Sequence, residues 1–175
     1  CCCLVSKIFN IIKTFIMFFE KRIMSSREQE VILDWMLEIQ HKFVSNPMGN
    51  HRNYYIFSDD PSAPKVLFDI KKRIYKKEKL GEVYIEPMYK DYIGCILEGG
   101  HIHKHKDANV GNLKHVRYNV FLTVPKKGGV PFYNGKKMKM VERGYIKCNS
   151  GDEYHYCTPV EGEIPRIVIS YGFLV

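Results

Sequence analysis

Three residues with metal-ligating side chains have a spacing that suits one shared ion. A single residue separates His105 from Asp107, and His155 lies much further along the chain. In a β-strand, residues i and i+2 point to the same side, so His105 and Asp107 can reach one ion together. The third ligand must come from a strand that is distant in sequence but adjacent in the sheet. Two imidazoles and one carboxylate can occupy one face of an octahedral ferrous ion and leave three positions open. The sequence therefore predicts an Fe(II) site formed by His105, Asp107 and His155.

The other histidines are weaker candidates. On a regular strand His101 and His103 would lie on the same side as His105, but one strand cannot bring all three imidazoles to one ion. We expect His101 and His103 at the mouth of the site or around its ligands; a register that uses His103 as the ligand is the alternative. His51 and His115 have no partner pattern, and we expect both at the surface.

A basic residue in the last apolar run indicates an anionic ligand. Arg166 begins this run, which continues to Leu174. An arginine that faces the interior from an apolar strand is costly unless it binds an anion. Ser170 lies on the same strand face and could donate a second hydrogen bond to that anion.

The segments that would position these residues are short and strand-like. From Glu82 onward they alternate with glycine-containing turns, and Asn134-Gly135 is a strong signal for a type I′ hairpin. This pattern predicts a sandwich or barrel, with a double-stranded β-helix (jelly roll) as the expected architecture. The predicted strands span 83–88, 92–97, 101–106, 116–124, 131–133, 138–141, 145–148, 155–159 and 166–174.

The N-terminal half is expected to support this sheet with two helices. Ser25 and Glu28 have the spacing of a capping box, Ser26 and Gln29 are a second candidate, and apolar residues recur at three- and four-residue steps as far as Phe43. A strand is predicted at 53–57, followed by a second helix over 62–79 with its lysines facing outward. The predicted fold class is therefore α+β and mainly β.

The first 23 residues form a separate segment. Their apolar part, 4–19, contains Lys7 and Lys13 and is shorter than the roughly twenty apolar residues that a spanning helix needs. The alternatives are a signal peptide that lacks a small-x-small cleavage site, an amphipathic membrane-surface segment, or a non-native extension before a natural start at Met24. We favour the last. The predicted domains are a tail at 1–23 and one domain at 24–175, with a membrane as partner only if the tail is genuine.

Composition is that of a globular protein. The chain has 175 residues and a net charge of +8, with many of its basic residues between Lys71 and Lys79. We interpret that cluster as a solvated helix face, with a patch for nucleic acid or an anionic substrate as the alternative. The six cysteines contain no C-x-x-C spacing, which suits a reducing compartment, so a cytoplasmic location is expected.

The four functional candidates together resemble the signature of the Fe(II)- and 2-oxoglutarate-dependent dioxygenases. That signature is H-x-D, a distal histidine and a basic residue beyond it, and this chain matches it in identity, order and spacing with His105, Asp107, His155 and Arg166. The segment 116–126 is similar to a strand of aspartyl/asparaginyl β-hydroxylases that carries a histidine where this chain has Asn119. The ligand set, with its one carboxylate, instead resembles that of prolyl hydroxylases.

The resemblance implies an enzyme that hydroxylates a substrate carbon while 2-oxoglutarate and O2 become succinate and CO2. His105, Asp107 and His155 would bind Fe(II), and Arg166 would pair with the C5 carboxylate of 2-oxoglutarate. Ascorbate is a candidate additional cofactor. Further contacts to the co-substrate are predicted for Asn119 and Ser170, and contacts to co-substrate or substrate for Arg117.

The substrate is less defined than the reaction. A prolyl or aspartyl/asparaginyl side chain in a peptide is the first prediction, from the similarity to those hydroxylases. A nucleobase or nucleotide is the second, because the chain is basic, and a small metabolite is the third. A non-catalytic, cupin-like metal-binding module is the alternative to an enzyme, and Arg166 argues against it because such a module has no need of a buried partner for a carboxylate.

Overall fold

The computed structural model describes residues 22–46 and 51–175. The predictions for residues 1–21 therefore lie outside the described residues. Arg22 forms an isolated β-bridge with Gly144, and Ile23 is buried in the core. The division of the chain at residue 24 stays a prediction, although the two residues before it take part in the fold. Among the described residues, no helix has the length and apolar character needed to cross a membrane.

Helix α1 (Ser26–Glu38) begins at the predicted capping box. Ser25 Oγ accepts a hydrogen bond of 3.2 Å from the backbone N–H of Glu28, and the Glu28 carboxylate accepts one of 2.8 Å from the backbone N–H of Ser25. These two bonds satisfy backbone donors that a helix N-terminus leaves without partners. The apolar face of α1 buries Ile32, Trp35 and Met36.

Helix α2 (Lys65–Lys77) is shorter than predicted at both ends. Pro64 occupies the N-cap position, and Lys79 has a φ of 50°, a left-handed conformation that does not continue a helix. The helix buries Leu67, Ile70 and Ile74 and turns most of its lysines outward. This arrangement matches the predicted amphipathic pattern.

The described residues form short strands that pair antiparallel throughout. In chain order they are β1 (Val44–Ser45), β2 (Arg52–Ile56), β3 (Tyr84–Ile85), β4 (Asp91–Ile96), β5 (Ile102–His105), β6 (His115–Thr123), β7 (Lys127–Gly128), β8 (Pro131–Tyr133), β9 (Lys136–Lys137), β10 (Tyr145–Cys148), β11 (His155–Cys157), β12 (Val160–Glu161) and β13 (Arg166–Leu174).

Two sheets carry most of these strands. The larger has seven strands in the order β1-β2-β4-β13-β6-β10, with β3 paired to β13, and the smaller has the order β5-β11-β8-β9. Strands β12 and β7 form a separate pair. Apolar residues of α1 and α2 join those of the larger sheet in one core cluster. The prediction of a mainly β fold with two supporting helices is therefore confirmed.

Strand β13 lies in the interior of the larger sheet. It pairs with β4 on one side and with β6 on the other, and all of its residues are buried. A strand that is buried on both faces has apolar residues at successive positions rather than at alternate ones. Arg166 at its start is therefore a charged residue in an apolar element, as the sequence indicated.

The hairpin between β8 and β9 confirms the turn predicted at Asn134-Gly135. Two of the predicted strands, 83–88 and 138–141, were wrong. Asn134 and Gly135 have φ values of 51° and 79°, the left-handed pair that a type I′ turn requires. The predicted strand 138–141 is absent: the ladder ends at Lys137, and beyond it the backbone N–H of Met138 donates once more to the carbonyl of Pro131, at 2.8 Å. The predicted strand 83–88 is reduced to β3, and after it the backbone N–H of Met88 turns to the Glu86 carboxylate.

Candidate active site

The antiparallel pairing of β5 with β11 brings two predicted ligands together. His105 and His155 are direct Cα partners in this ladder, and their ring centroids lie 4.2 Å apart. Residues that face each other across two strands project to the same side of the sheet. The fifty-residue gap between them in the sequence is thus closed by one strand pairing.

A bulge in β5 interrupts the regular alternation expected for the histidines before His105. Between two consecutive ladder pairs, His155 with His105 and Cys157 with Ile102, β5 contains one residue more than β11. A bulge of this kind interrupts the simple alternation of sides. His103 is exposed at the rim of the pocket and contacts His101 at 4.4 Å between ring centroids. Neither side chain belongs to the group of potential metal ligands.

Asp107 completes that group. Its backbone N–H donates to the carbonyl of Ser150 at 2.8 Å, which fixes the chain just beyond β5. Its Oδ1 atom lies 3.6 Å from Nε2 of His105 and 3.9 Å from Nε2 of His155. The ligand atoms of the three residues all lie within 4.8 Å of one another. Two imidazole nitrogens and a carboxylate oxygen at this separation are a donor set that fits Fe(II).

Hydrogen bonds orient both imidazoles toward Asp107. Nδ1 of His105 lies 2.7 Å from the carbonyl of His103, and Nδ1 of His155 lies 3.2 Å from the carbonyl of Glu153. Because a carbonyl only accepts, each Nδ1 carries the proton and each Nε2 keeps its lone pair free for a metal. Burial also lowers the pKa of His155, against the opposing charge of Asp107, and so favours the neutral imidazole that binds metal.

The second carboxylate oxygen of Asp107 has basic neighbours of its own. Oδ2 lies 3.5 Å from Nε of Arg117 and 3.7 Å from Nδ1 of His115. Burial alone would raise the pKa of Asp107, but the nearby charges of Arg117, His155 and His115 outweigh it and the pKa is lowered. Asp107 is therefore held as a carboxylate, the form that ligates a metal.

Arg117 was predicted to contact co-substrate or substrate, and the structure gives it further partners. Its Nη2 atom lies 2.7 Å from the carboxylate of Glu86, and its Nη1 atom donates to the carbonyl of Lys90 at 3.2 Å and to Ser170 Oγ at 3.4 Å. Arg117 also lines the pocket. Ser170 is fully buried and is not among the residues that line the pocket, so its contact with co-substrate stays a prediction.

The surface position predicted for His115 is wrong, since its side chain is buried with 3% exposed. The backbone N–H of His115 donates to Asn109 Oδ1 at the start of β6, and its ring extends toward Asp107. A usable signal was its place two residues before Arg117 on one strand, which puts both on one face. Glu86, also 3% exposed, was missed because its only sequence context was a strand predicted too long.

A cavity of about 340 Å³ adjoins this group and is lined from both sheets. The larger sheet contributes Asn119, Arg166 and Val168, among others, and the smaller contributes His105, Tyr133 and His155. Cavities of this size are typical of small-molecule sites. The predicted ligands, Arg166, Arg117 and Asn119 thus border one space.

Arg166 is the strongest indication of what the cavity binds. Its side chain is buried, with 3% of the residue exposed, and its Nε has no hydrogen-bond partner in the part of the chain that the structure describes. Its neighbours are Cys157 Sγ, 4.0 Å from Nη1, and the Phe121 ring, whose centroid is 5.5 Å from the guanidinium carbon. Among the described residues, no acidic side chain lies within 4 Å of it. A buried guanidinium in this state calls for an anionic ligand.

Asn119 and Tyr133 place two more polar groups at the cavity. Asn119 Nδ2 donates to the Tyr133 hydroxyl at 3.0 Å. Burial raises the pKa of Tyr133, so its hydroxyl stays protonated. Because that oxygen accepts from Asn119, its own proton is free to be donated to an acceptor in the cavity. The sequence pattern did not single out Tyr133 as a site residue.

The fold matches solved 2-oxoglutarate- and Fe(II)-dependent oxygenases. A viral collagen prolyl hydroxylase from Paramecium bursaria Chlorella virus-1, in its 2-oxoglutarate complex, gives a TM-score of 0.68 at 14% identity, covering 89% of this chain and 93% of that chain. HygX from Streptomyces hygroscopicus, with nickel and 2-oxoglutarate bound, gives 0.64 at 12% identity, covering 91% and 85%. A Trichoplax adhaerens prolyl hydroxylase, in complex with a hypoxia inducible factor peptide fragment, gives 0.66 at 14% identity, covering 88% and 80%.

These matches concern the fold. No family model matches the sequence, and no curated protein matches it. The likeness confirms the predicted resemblance at the level of architecture: this chain has the fold of solved 2-oxoglutarate- and Fe(II)-dependent oxygenases, prolyl hydroxylases among them. A fold by itself does not define an activity, which depends on the residues at the cavity of this chain.

Proposed function

We propose that this protein is an Fe(II)- and 2-oxoglutarate-dependent dioxygenase with a double-stranded β-helix fold that hydroxylates a carbon of a peptidyl side chain. The observation that carries the proposal is one cavity bordered by both halves of the required site. His105, Asp107 and His155 converge on one side, and the buried guanidinium of Arg166, which has no acidic partner among the described residues, lies on the other.

The three converging residues would hold the metal. His105 and His155 present Nε2 because each Nδ1 proton is bound to a backbone carbonyl, and Asp107 presents Oδ1 because its Oδ2 faces Arg117. Such pre-orientation by surrounding groups raises metal affinity. When bound, Fe(II) would supply the activation of O2 needed to oxidise an unactivated C–H bond.

The opposite side of the cavity suits 2-oxoglutarate. Arg166 offers its guanidinium to the C5 carboxylate in a charge-assisted contact, and the Phe121 ring beside it limits its motion. The Tyr133 hydroxyl, oriented by Asn119, can donate to the same ligand. A carboxylate bound in this enclosed space is removed from water, which strengthens each of these interactions.

A peptide is the substrate class that the comparisons support. Two of the similar solved structures are prolyl hydroxylases, and one of them holds a peptide fragment. We therefore propose a prolyl or aspartyl/asparaginyl side chain as the target.

Anaerobic addition of Fe(II) and 2-oxoglutarate tests the proposal directly. A weak visible charge-transfer band should appear in the wild type and be lost in both Asp107→Ala and Arg166→Ala. On admission of O2, succinate release should then depend on a peptide substrate. Metal binding without the band would contradict the dioxygenase and favour a cupin-like metal-binding module.

A further inference from the structure

The charge around the pocket is strongly one-sided. Asp107 is the one acidic residue among the described residues that line it, and it belongs to the metal site. Among the basic lining residues, Arg117 is already paired with Glu86, and Arg166 is assigned above to the co-substrate. The remaining cations are Arg52, Lys104 and Lys106. None of the residues proposed to bind iron or 2-oxoglutarate neutralises the positive charge of these three side chains.

Lys104 and Lys106 form a compact basic group with Tyr154. Their Nζ atoms lie 5.1 Å and 4.7 Å from the centroid of the Tyr154 ring, which is itself 47% exposed. Each ammonium group therefore makes a cation–π contact with the same ring. An acidic side chain at this part of the pocket would be attracted by both charges.

No acidic residue neutralises this pair within the described part of the chain. Neither Lys104 nor Lys106 has a carboxylate within 4 Å. Lys106 contributes to lowering the pKa of Asp152, but that carboxylate is bound to Lys114 at 3.0 Å. The two ammonium groups are therefore available to an external anion.

Arg52 places a third positive charge on the other sheet. It belongs to β2, whereas Lys104 and Lys106 follow the path of β5, so the cations come from both sheets that border the pocket. Like the lysines, Arg52 has no acidic side chain within 4 Å among the described residues. A chain entering the pocket would meet positive charge from each sheet.

We propose that the substrate is an acidic peptide segment, in which aspartate or glutamate residues flank the residue to be hydroxylated and contact Arg52, Lys104 and Lys106. This inference rests on the proposed function, because it concerns the substrate of the same site. Charge complementarity of this kind selects partners and accelerates their encounter.

The aromatic residues around the pocket favour a peptide over a single-stranded nucleic acid. Tyr54, Tyr89 and Tyr92 contact one another edge-to-face, with ring centroids 6.1 to 6.4 Å apart. The guanidinium of Arg117 lies over the Tyr92 ring, and the ammonium groups of both lysines contact the Tyr154 ring. Binding of single strands relies on ring faces that are open for bases to stack on. Each of these rings already contacts another ring or a cation, which leaves less of its face open to a base.

Equilibrium binding of labelled peptides tests this inference. Short peptides with a central proline or asparagine would carry aspartate and glutamate at the flanking positions, or asparagine and glutamine at the same positions. The protein is loaded anaerobically with Fe(II) and 2-oxoglutarate, and binding is followed by fluorescence anisotropy. We expect the acidic peptides to bind about three- to tenfold more tightly at low salt and the difference to disappear near 0.5 M salt.

The preference should be lost in Lys104→Gln/Lys106→Gln and reduced in Arg52→Gln. The matched control is Lys72→Gln/Lys76→Gln, which removes two exposed lysines of α2 away from the pocket and should keep the preference. Equal binding of both peptide sets, or binding of neither, overturns the inference. Tighter binding of oligothymidylate of equal charge, lost in the same pocket variants, also overturns it.

Succinate release separates this inference from the proposed function. If charge-dependent binding is observed and no peptide stimulates succinate release, the hydroxylase function is contradicted while the acidic-peptide preference stands. If peptides are hydroxylated with no dependence of KM on flanking charge, the function stands and the inference is overturned.

Discussion

Arg117 joins a metal-ligand candidate to a buried carboxylate from a different segment. Its Nε lies 3.5 Å from Oδ2 of Asp107, and its Nη2 lies 2.7 Å from Oε2 of Glu86. Glu86 in turn accepts hydrogen bonds from the backbone N–H groups of Met88 and Tyr89. The position of Asp107 thus depends on a loop that no strand pairing connects to it.

Glu86→Gln should weaken metal binding by about ten- to a hundredfold, since it removes the charge that orients Arg117. Titration of the protein with Fe(II) under anaerobic conditions measures this affinity. Breaking a buried ion pair also destabilises the fold, by about 3 to 5 kcal/mol, so unfolding is followed in parallel. Glu82→Gln is the matched control: Glu82 is exposed, and its carboxylate accepts a hydrogen bond from the exposed Tyr84. Unchanged metal affinity in a folded Glu86→Gln protein would show that Asp107 needs no such support.

Arg166→Gln should raise the KM for 2-oxoglutarate by at least about 30-fold, because a buried charge-assisted contact contributes about 2 kcal/mol or more. Fe(II) affinity should remain the same, since Arg166 is not among the candidate ligands. Arg27→Gln serves as control, because Arg27 is exposed and pairs with Glu30 on the surface. A KM that does not change would remove Arg166 from the co-substrate site.

Tyr133→Phe and Asn119→Ala should each raise the KM for 2-oxoglutarate about fivefold, the effect of one lost hydrogen bond of about 1 kcal/mol. Because Asn119 donates to the Tyr133 hydroxyl, the two substitutions act on one network and their combined effect should be smaller than the sum. Steady-state assays of the single and double variants measure this coupling. Fully additive effects would show that the two side chains act independently.

Glu28 should govern part of the stability of the fold in acid. The side-chain hydrogen bond from Arg73 is the largest cause that lowers the pKa of Glu28 from 4.5 to about 2, and the bonds from Ser25 add to it against burial. A carboxyl with a depressed pKa stabilises the folded state above its unfolded pKa, and this contribution is lost as the pH falls through about 2. The free energy of unfolding should therefore decrease as the pH is lowered from about 4.5 to about 2.

Glu28→Gln keeps the capping geometry and removes the charge. We expect a loss of about 1 to 2 kcal/mol at neutral pH, discounted for partial solvent exposure, and a flatter pH dependence below about pH 4.5. Urea unfolding across that pH range measures both effects. Glu30→Gln, on the exposed face of α1, should change neither. An acid slope that is the same in wild type and Glu28→Gln would contradict this assignment.

Local pattern was sufficient for much of the architecture. The capping box located the start of α1, the three- and four-residue spacing identified both helices, and Asn134-Gly135 identified the hairpin. Each of these features depends on residues close in sequence. Ends of elements were less accurate, because Pro64 and the left-handed Lys79 shorten α2 more than its apolar periodicity suggested.

The sequence by itself also determined which residue types could form the site. H-x-D on a strand, a distant histidine and one arginine opening a buried strand selected His105, Asp107, His155 and Arg166, and the structure brings all four to one cavity. Alternation along a strand predicts which face of the sheet a side chain lies on. It does not predict which side chains from other strands contact it there.

Only the tertiary structure decided those neighbours. In the structure His115 is buried, and Arg117 forms ion pairs with Asp107 and Glu86. Arg166 has no acidic partner in the described chain. These outcomes depend on the register between strands far apart in sequence and on a bulge in β5. The energy of a buried charge is set by its nearest partners in space, and chain folding alone brings those partners together.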